Sequence, residues 1–140
     1  MTFDAENPVI QLCAAGMQKE GEGKPLEAKQ LFYEAWEKAA SPFEQFTAAH
    51  YVARRQSTVE EKLTWDEKCL AIALTIEEES MKANYPSLYL NVAKGFEDTG
   101  NLEDARKNYT LALSYTTYLP DDGYGNMIKA GINKGLQRVK

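Results

Sequence analysis

The stretch NVAKGFEDTGNLEDARKNYTLAL, residues 91 to 113, reads as two helices folded about one turn. Gly100 can take the left-handed conformation that ends a helix. Ala93, Ala105, Tyr109 and Ala112 set small and large residues at helical spacing on either side of that turn. The same pattern stands near the start of the chain. Leu12, Ala15, Gly16 and Lys19 align with Tyr89, Val92, Ala93 and Phe96, and Ala28, Phe32 and Ala35 align with Ala105, Tyr109 and Ala112. A glycine, Gly23 or Gly100, lies five residues before the first alanine of each set. Two segments 77 residues apart therefore use one rule for packing a pair of helices.

The rest of the sequence has the same helical character. Long Val/Ile/Thr alternations are missing, and Asp122-Gly123 is the one hairpin-like dipeptide. Short breaks fall at 21–25, 41–42, 56–58, 84–86, 99–101 and 120–123. Pro25, Pro42 and Pro86 suit a first helical turn, where the missing N–H costs nothing. Ser57 with Glu60, or Thr58 with Glu61, can form a capping box. About seven helices of roughly 12 to 20 residues result, and the short connections favour antiparallel neighbours.

On these residues the chain resembles the tetratricopeptide repeat family. That family places a small residue where two helices cross, an alanine in the second helix and an aromatic four residues later. Gly100-Asn-Leu-Glu-Asp-Ala105 matches its inter-helix turn, whereas Lys19 and Pro25 depart from it and neither repeat carries its leading tryptophan. The resemblance implies an all-α, right-handed superhelix of three antiparallel helix pairs with a C-terminal capping helix. As a single domain over 1–140, it would hold repeat 1 at about 8–41, an irregular repeat 2 at about 42–81 and repeat 3 at about 85–119. In the middle repeat Ala48-Ala49 would supply the small crossing position, with Leu70 and Ala73 in the second helix. Its surplus residues would lie in 56–65 and 75–85. The capping helix, about 123–139, carries Ile128, Ile132, Leu136 and Val139 on one stripe.

Gly16 and Gly21 stand five apart, as the glycines of a phosphate-binding loop do. That loop needs Lys and then Ser or Thr after the second glycine, and it leaves a strand. Glu22 follows Gly21, and Pro25 follows Lys24, so no nucleotide is expected. With 44% hydrophobic and 26% charged residues, the 140-residue chain has a globular composition, and no apolar run reaches membrane-spanning length. The opening segment MTFDAENPVI has two acids and no base, which argues against a secretory signal. A net charge of −5 disfavours nucleic acid, and the basic residues 129, 134, 138 and 140 are spread around a helix. Cys13 and Cys69 read as buried reduced thiols, which points to the cytoplasm. His50 is the sole histidine, so His-pair metal sites are excluded, and neither a metal nor a cofactor is expected. The carboxylate runs at 77–79 and 121–122 read as solvated helix ends, and Asn108-Tyr-Thr110 as a glycosylation triplet without effect in the cytosol.

Repeat stacks of this family bind peptides or protein segments in the groove lined by each repeat's first helix. Carried over by helical phase, the resemblance implies a lining of Ile10, Cys13 and Met17, then Phe43, Phe46, His50, Ala53 and Arg54, then Ser87, Leu90, Asn91, Lys94 and Glu97. Phe43, Phe46, His50 and Arg54 share one helical face, and an aromatic stripe ending in arginine suits a binding hot spot. Arg54, Asn91 and Lys94 would hold an acidic side chain or a terminal carboxylate. The same stripe also reads as ordinary core, with Phe46 buried and His50 hydrogen-bonded to a neighbouring helix. Trp36 and Trp65, with Tyr33 and Tyr109, read as packing between second helices.

The leading expectation is a non-catalytic module that binds a protein or peptide. A second is a self-associating protein, such as a homodimer, using Tyr85, Tyr89, Tyr115 and Tyr118. A third is a small-ligand binder or enzyme built around His50, Tyr51 and Arg54, which a deep pocket with a perturbed histidine would mark.

Overall fold

Seven α-helices make up the computed structural model, which describes residues 4–140; the first three residues of the acidic opening segment lie outside the described residues. The helices are α1 (Pro8–Gly21), α2 (Pro25–Lys38), α3 (Pro42–Arg54), α4 (Val59–Ala73), α5 (Tyr85–Asp98), α6 (Leu102–Ser114) and α7 (Gly123–Arg138). Short 3-10 segments cover Glu79–Asn84 and Thr116–Tyr118, and among the described residues there is no strand. The fold is all-α, as its sequence implies.

The breaks work by the expected chemistry. Pro8, Pro25, Pro42 and Pro86 all sit in the first turn of a helix. Gly23 and Gly100 adopt φ of +76° and +88°, the left-handed region where a side chain is strained. Thr58, rather than Ser57, caps α4 by accepting from the Glu61 backbone. The complete capping box lies elsewhere, at the start of α3. There the Ser41 hydroxyl accepts from Glu44 N–H, and the Glu44 carboxylate accepts from Ser41 and Ala40. Asp122 is no hairpin residue; its side chain caps α7 through Gly125 N–H.

The chain divides into two compact units, residues 1–76 and 77–140. In the first, α1 and α2 form an antiparallel hairpin around Gly16, and α3 and α4 form a second. Ala28, Phe32 and Val52 make one buried cluster, and Val9, Cys13, Ala35 and Ala48 another. Both cysteines are free and buried, and burial pushes their thiols up, to about 11 for Cys13 and about 12 for Cys69. In the second unit α5 and α6 form the hairpin and α7 packs on both. Its core is Ala93, Ala105, Tyr109 and Val139, flanked by Leu90, Phe96 and Leu136. The surplus length of the expected middle repeat appears after α4, as an extended stretch and the 3-10 segment at Glu79–Asn84.

Candidate functional site

Within the first unit the four site residues expected on α3 have different surroundings. Phe43 is half-buried, and its ring meets Phe46 edge-on at 5.5 Å. Phe46 is buried rather than groove-lining, and its backbone carbonyl accepts from the Cys69 thiol of α4 at 3.2 Å. Its phase turns it toward the partner helix, where an apolar ring is removed from water. His50 is half-buried, with its ring 5.2 Å from Tyr51. Burial, with Arg54 and then Lys62 nearby, pushes its pKa down to about 4. Arg54 is exposed, stacks over the Tyr51 ring at 5.2 Å and bonds to Glu20 of α1. Ile10, Cys13 and Ala53 lie in the core, whereas Met17 is exposed.

Within the second unit, Leu90 packs at the edge of the core and fills the space a side chain at Gly131 would enter. Asn91 is half-buried, and Lys94 is exposed and paired with Asp98 one turn on. Ser87 donates to the Asn84 carbonyl, and Glu97 is held by Arg138. The four tyrosines expected at an interface do meet. Tyr89 and Tyr115 stack at 5.8 Å, Tyr85 meets Tyr115 edge-on at 5.1 Å, and Tyr118 lies 6.3 Å from Tyr115 with Lys82 over its outer ring.

The reading by phase put Glu97 on the groove and left out Glu20 and the arginine partners of both. Glu20 and Glu97 stand 77 residues apart, at the same place in each repeat. In the second unit Arg138 grips Glu97 with both arms of its fork, Nε to Oε2 at 2.8 Å and Nη2 to Oε1 at 3.1 Å. The Tyr109 hydroxyl donates to the same carboxylate at 2.7 Å. The arginine bonds and then the tyrosine bond hold the Glu97 carboxyl below its usual range against the cost of burial. Burial, followed by that carboxylate, raises Tyr109 to about 12.

In the first unit two arginines share one carboxylate. Arg55 Nε lies 2.8 Å from Glu20 Oε2, as Arg138 Nε does from Glu97 Oε2. Yet Glu20 Oε1 is taken by Arg54, and the buried Arg55 Nε and Glu20 Oε2 are close without being aligned as a hydrogen bond. A buried polar pair in this state calls for a physical reason. The signal was present in the aligned glutamates, but the arginines that meet them come from a third helix at a different spacing.

Among the described residues no group of His, Cys, Asp and Glu is arranged to hold a metal ion, and no helix is long and apolar enough to cross a membrane. Gly21 and Gly23 close the α1–α2 hairpin, with a helix on the side where a phosphate loop has a strand. Compared with known proteins, the chain matches no family model, no curated protein and no solved structure.

Proposed function

We propose that this chain is a non-catalytic module that binds a protein or peptide segment carrying an acidic group, with Arg54 as the point of recognition. The observation that carries this reading is the surplus arginine at Glu20. In the second unit one arginine satisfies the equivalent glutamate with two hydrogen bonds. In the first unit Arg55 Nε stands at the same 2.8 Å from Glu20 Oε2, but Arg54 holds the other oxygen, which a second arm would need. A ligand carboxylate that draws Arg54 away lets Arg55 close its fork on Glu20. The misaligned pair then gains its hydrogen bonds at the moment the ligand gains a guanidinium. Half-buried Phe43 and exposed Met17 supply apolar surface in the same unit for a neighbouring side chain. Two free thiols suit a reducing compartment, and we place the module in the cytoplasm. The likeness to tetratricopeptide repeats rests on the aligned hairpins and stays an inference from them.

A displayed random-peptide library tests the reading. Peptides enriched by the wild type are expected to carry a carboxylate at a fixed place and to lose most of their binding with Arg54→Glu. The second-unit variant Lys107→Glu, at an exposed position on α6, serves as a control with equal charge change. Enrichment that survives Arg54→Glu, with both variants folded by circular dichroism, refutes Arg54 as the contact.

A second reading, self-association, draws on the gathering of Tyr85, Tyr89, Tyr115 and Tyr118. Tyr85 and Tyr89 are buried, so the surface this cluster offers is that of exposed Tyr118 and half-buried Tyr115, a residue type favoured at interfaces. Light scattering that gives a dimer mass, reduced to monomer by Tyr118→Ala, would support it; a monomer mass at high concentration would refute it.

A further inference from the structure

The two tryptophans of the chain, Trp36 on α2 and Trp65 on α4, stand at 90° to each other with ring centres 5.2 Å apart. The Lys68 ammonium lies over both faces, 4.4 Å from the Trp65 centre and 5.3 Å from that of Trp36. Tyr33 meets Trp65 edge-on at 5.8 Å and is steadied by Gln56, whose amide donates to the Tyr33 hydroxyl at 3.0 Å. Two orthogonal indoles sharing one cation form the walls of an aromatic cage, in which the negative ring faces attract positive charge.

The occupant of this cage is weakly held. Lys68 is exposed, and among the described residues its ammonium rests on ring faces with no carboxylate in ion-pair range. A primary ammonium is strongly hydrated and sits on a flexible stem, so water competes for it continually. A methylated ammonium sheds water more readily and spreads its charge over carbon, which is what an indole face rewards.

Beside the cage opens a cavity of about 460 Å³ lined by Leu26, Lys29, Gln30, Tyr33, Glu34 and Glu37. Tyr33, edge-on to Trp65, also lines this cavity and so joins it to the cage. The wall carries two carboxylates against one lysine, and Glu34 is partly engaged by Lys38 at 3.4 Å. A ligand with a cationic end and room for a body therefore meets rings, carboxylates and space in one place.

We infer that Trp36 and Trp65, with Tyr33 packed beside them, form a receptor for a methylated or quaternary ammonium group, with Lys68 as its built-in competitor. This site lies on α2 and α4, whereas Arg54 lies on α3, and takes the opposite charge; it does not rest on the function proposed above. The group would be either the head of a small molecule or a methylated lysine on a peptide.

The test follows the two indole N–H signals by NMR at constant ionic strength. One arm titrates tetramethylammonium chloride against sodium chloride, and the other a short trimethyl-lysine peptide against its unmodified form. Both indole signals are expected to move with the methylated probe and to stay with its control. Lys68→Gln, at an exposed position, is expected to tighten binding about three-fold by removing the competitor. Trp65→Phe, which keeps a ring, is expected to weaken it by a similar factor. Comparable binding in the two arms assigns the site to a free ammonium, and binding at least ten-fold tighter in the peptide arm assigns it to a protein side chain. Indole signals that stay still in both the wild type and Lys68→Gln overturn the inference, leaving Trp36 and Trp65 as a seat for Lys68 alone. So does movement that Trp65→Phe leaves unchanged.

Discussion

Phe32 in the first unit and Tyr109 in the second hold the same place in their repeats, yet a different glycine seats each ring. In the first unit the glycine is Gly16, on the facing helix of the same hairpin, and a methyl group there would collide with the Phe32 ring. From α3, Tyr51 stacks on the same ring at 5.2 Å and Val52 packs in its cluster. In the second unit the hairpin position is Ala93, and the space is made instead by Gly135 of α7, where an added methyl group would run into Tyr109. One ring thickness is accommodated twice, with the small residue moved from one side to the other. Close packing explains why both sides cannot be large. The ring chemistry differs for a related reason. Tyr109 points its hydroxyl at Glu97, so one arginine and one tyrosine share that carboxylate, whereas Phe32 offers nothing polar and the first unit brings two arginines to Glu20.

The largest expected effect breaks this seating. Gly16→Ala and Gly135→Ala should each destabilise their unit by roughly 1–3 kcal/mol, as overpacking a filled core does. The sign is the informative part, because Gly→Ala inside a helix otherwise stabilises by about 0.5–1 kcal/mol. Gly21, at the end of α1 with open space around it, is the control and should be neutral or stabilised. Urea unfolding followed by tryptophan fluorescence reads the first unit, since both tryptophans lie there; helical circular dichroism reads the whole chain. A stabilising Gly16→Ala would mean that Phe32 has room to move and that the two seats are not equivalent.

A smaller effect separates the units by pH. The only histidine lies in the first unit, with its pKa lowered from 6.5 to about 4. As pH falls below 6.5 the unfolded chain takes a proton that the folded unit refuses. Stability is therefore full above pH 6.5, is lost between pH 6.5 and 4, and levels off below. The loss is expected to be about 1–2 kcal/mol, allowing for solvent screening at a half-buried ring. His50→Gln should flatten tryptophan-detected unfolding midpoints across that window. Glu44 acts lower on the scale. Its hydrogen bonds from Ser41, Asn7 and Ala40 depress it to about 2, so its contribution is lost only as pH drops below the usual carboxylate range. A midpoint that stays level from pH 7 to 5 would show that His50 is as free to protonate in the fold as outside it.

Much of the fold was legible because small and large residues at helical spacing, prolines at helix starts and two left-handed glycines are local signals. The stripe Ile128, Ile132, Leu136 and Val139 likewise announced a last helix that covers a hairpin; Leu136 is half-buried and the other three are buried. What stayed hidden depends on phase between helices. Phe43, Phe46 and His50 share a face, as the spacing says, but that face has α4 beside it, so Phe46 serves the core. The capping box was expected after residue 56 and stands instead at Ser41 and Glu44, whose spacing carries the same signal; its further bond from Asn7 Nδ2 has none. Glu20 and Glu97 align without gaps, yet only the third helix of each unit reveals their partners. The Lys68 contact with two indoles needs α2 and α4 placed side by side, which no single-helix pattern encodes.

The unfolding free energy of Arg54→Gln beside that of Arg55→Gln tests the account at its centre. If Arg54 is the surplus cation, its loss should cost less than about 0.5 kcal/mol, because Arg55 can then grip Glu20 as Arg138 grips Glu97. Arg55→Gln should cost more, about 1–2 kcal/mol, since it removes the arginine whose Nε lies buried beside that carboxylate. A loss from Arg54→Gln equal to or above that from Arg55→Gln would make Arg54 a structural tie and contradict its role in recognition.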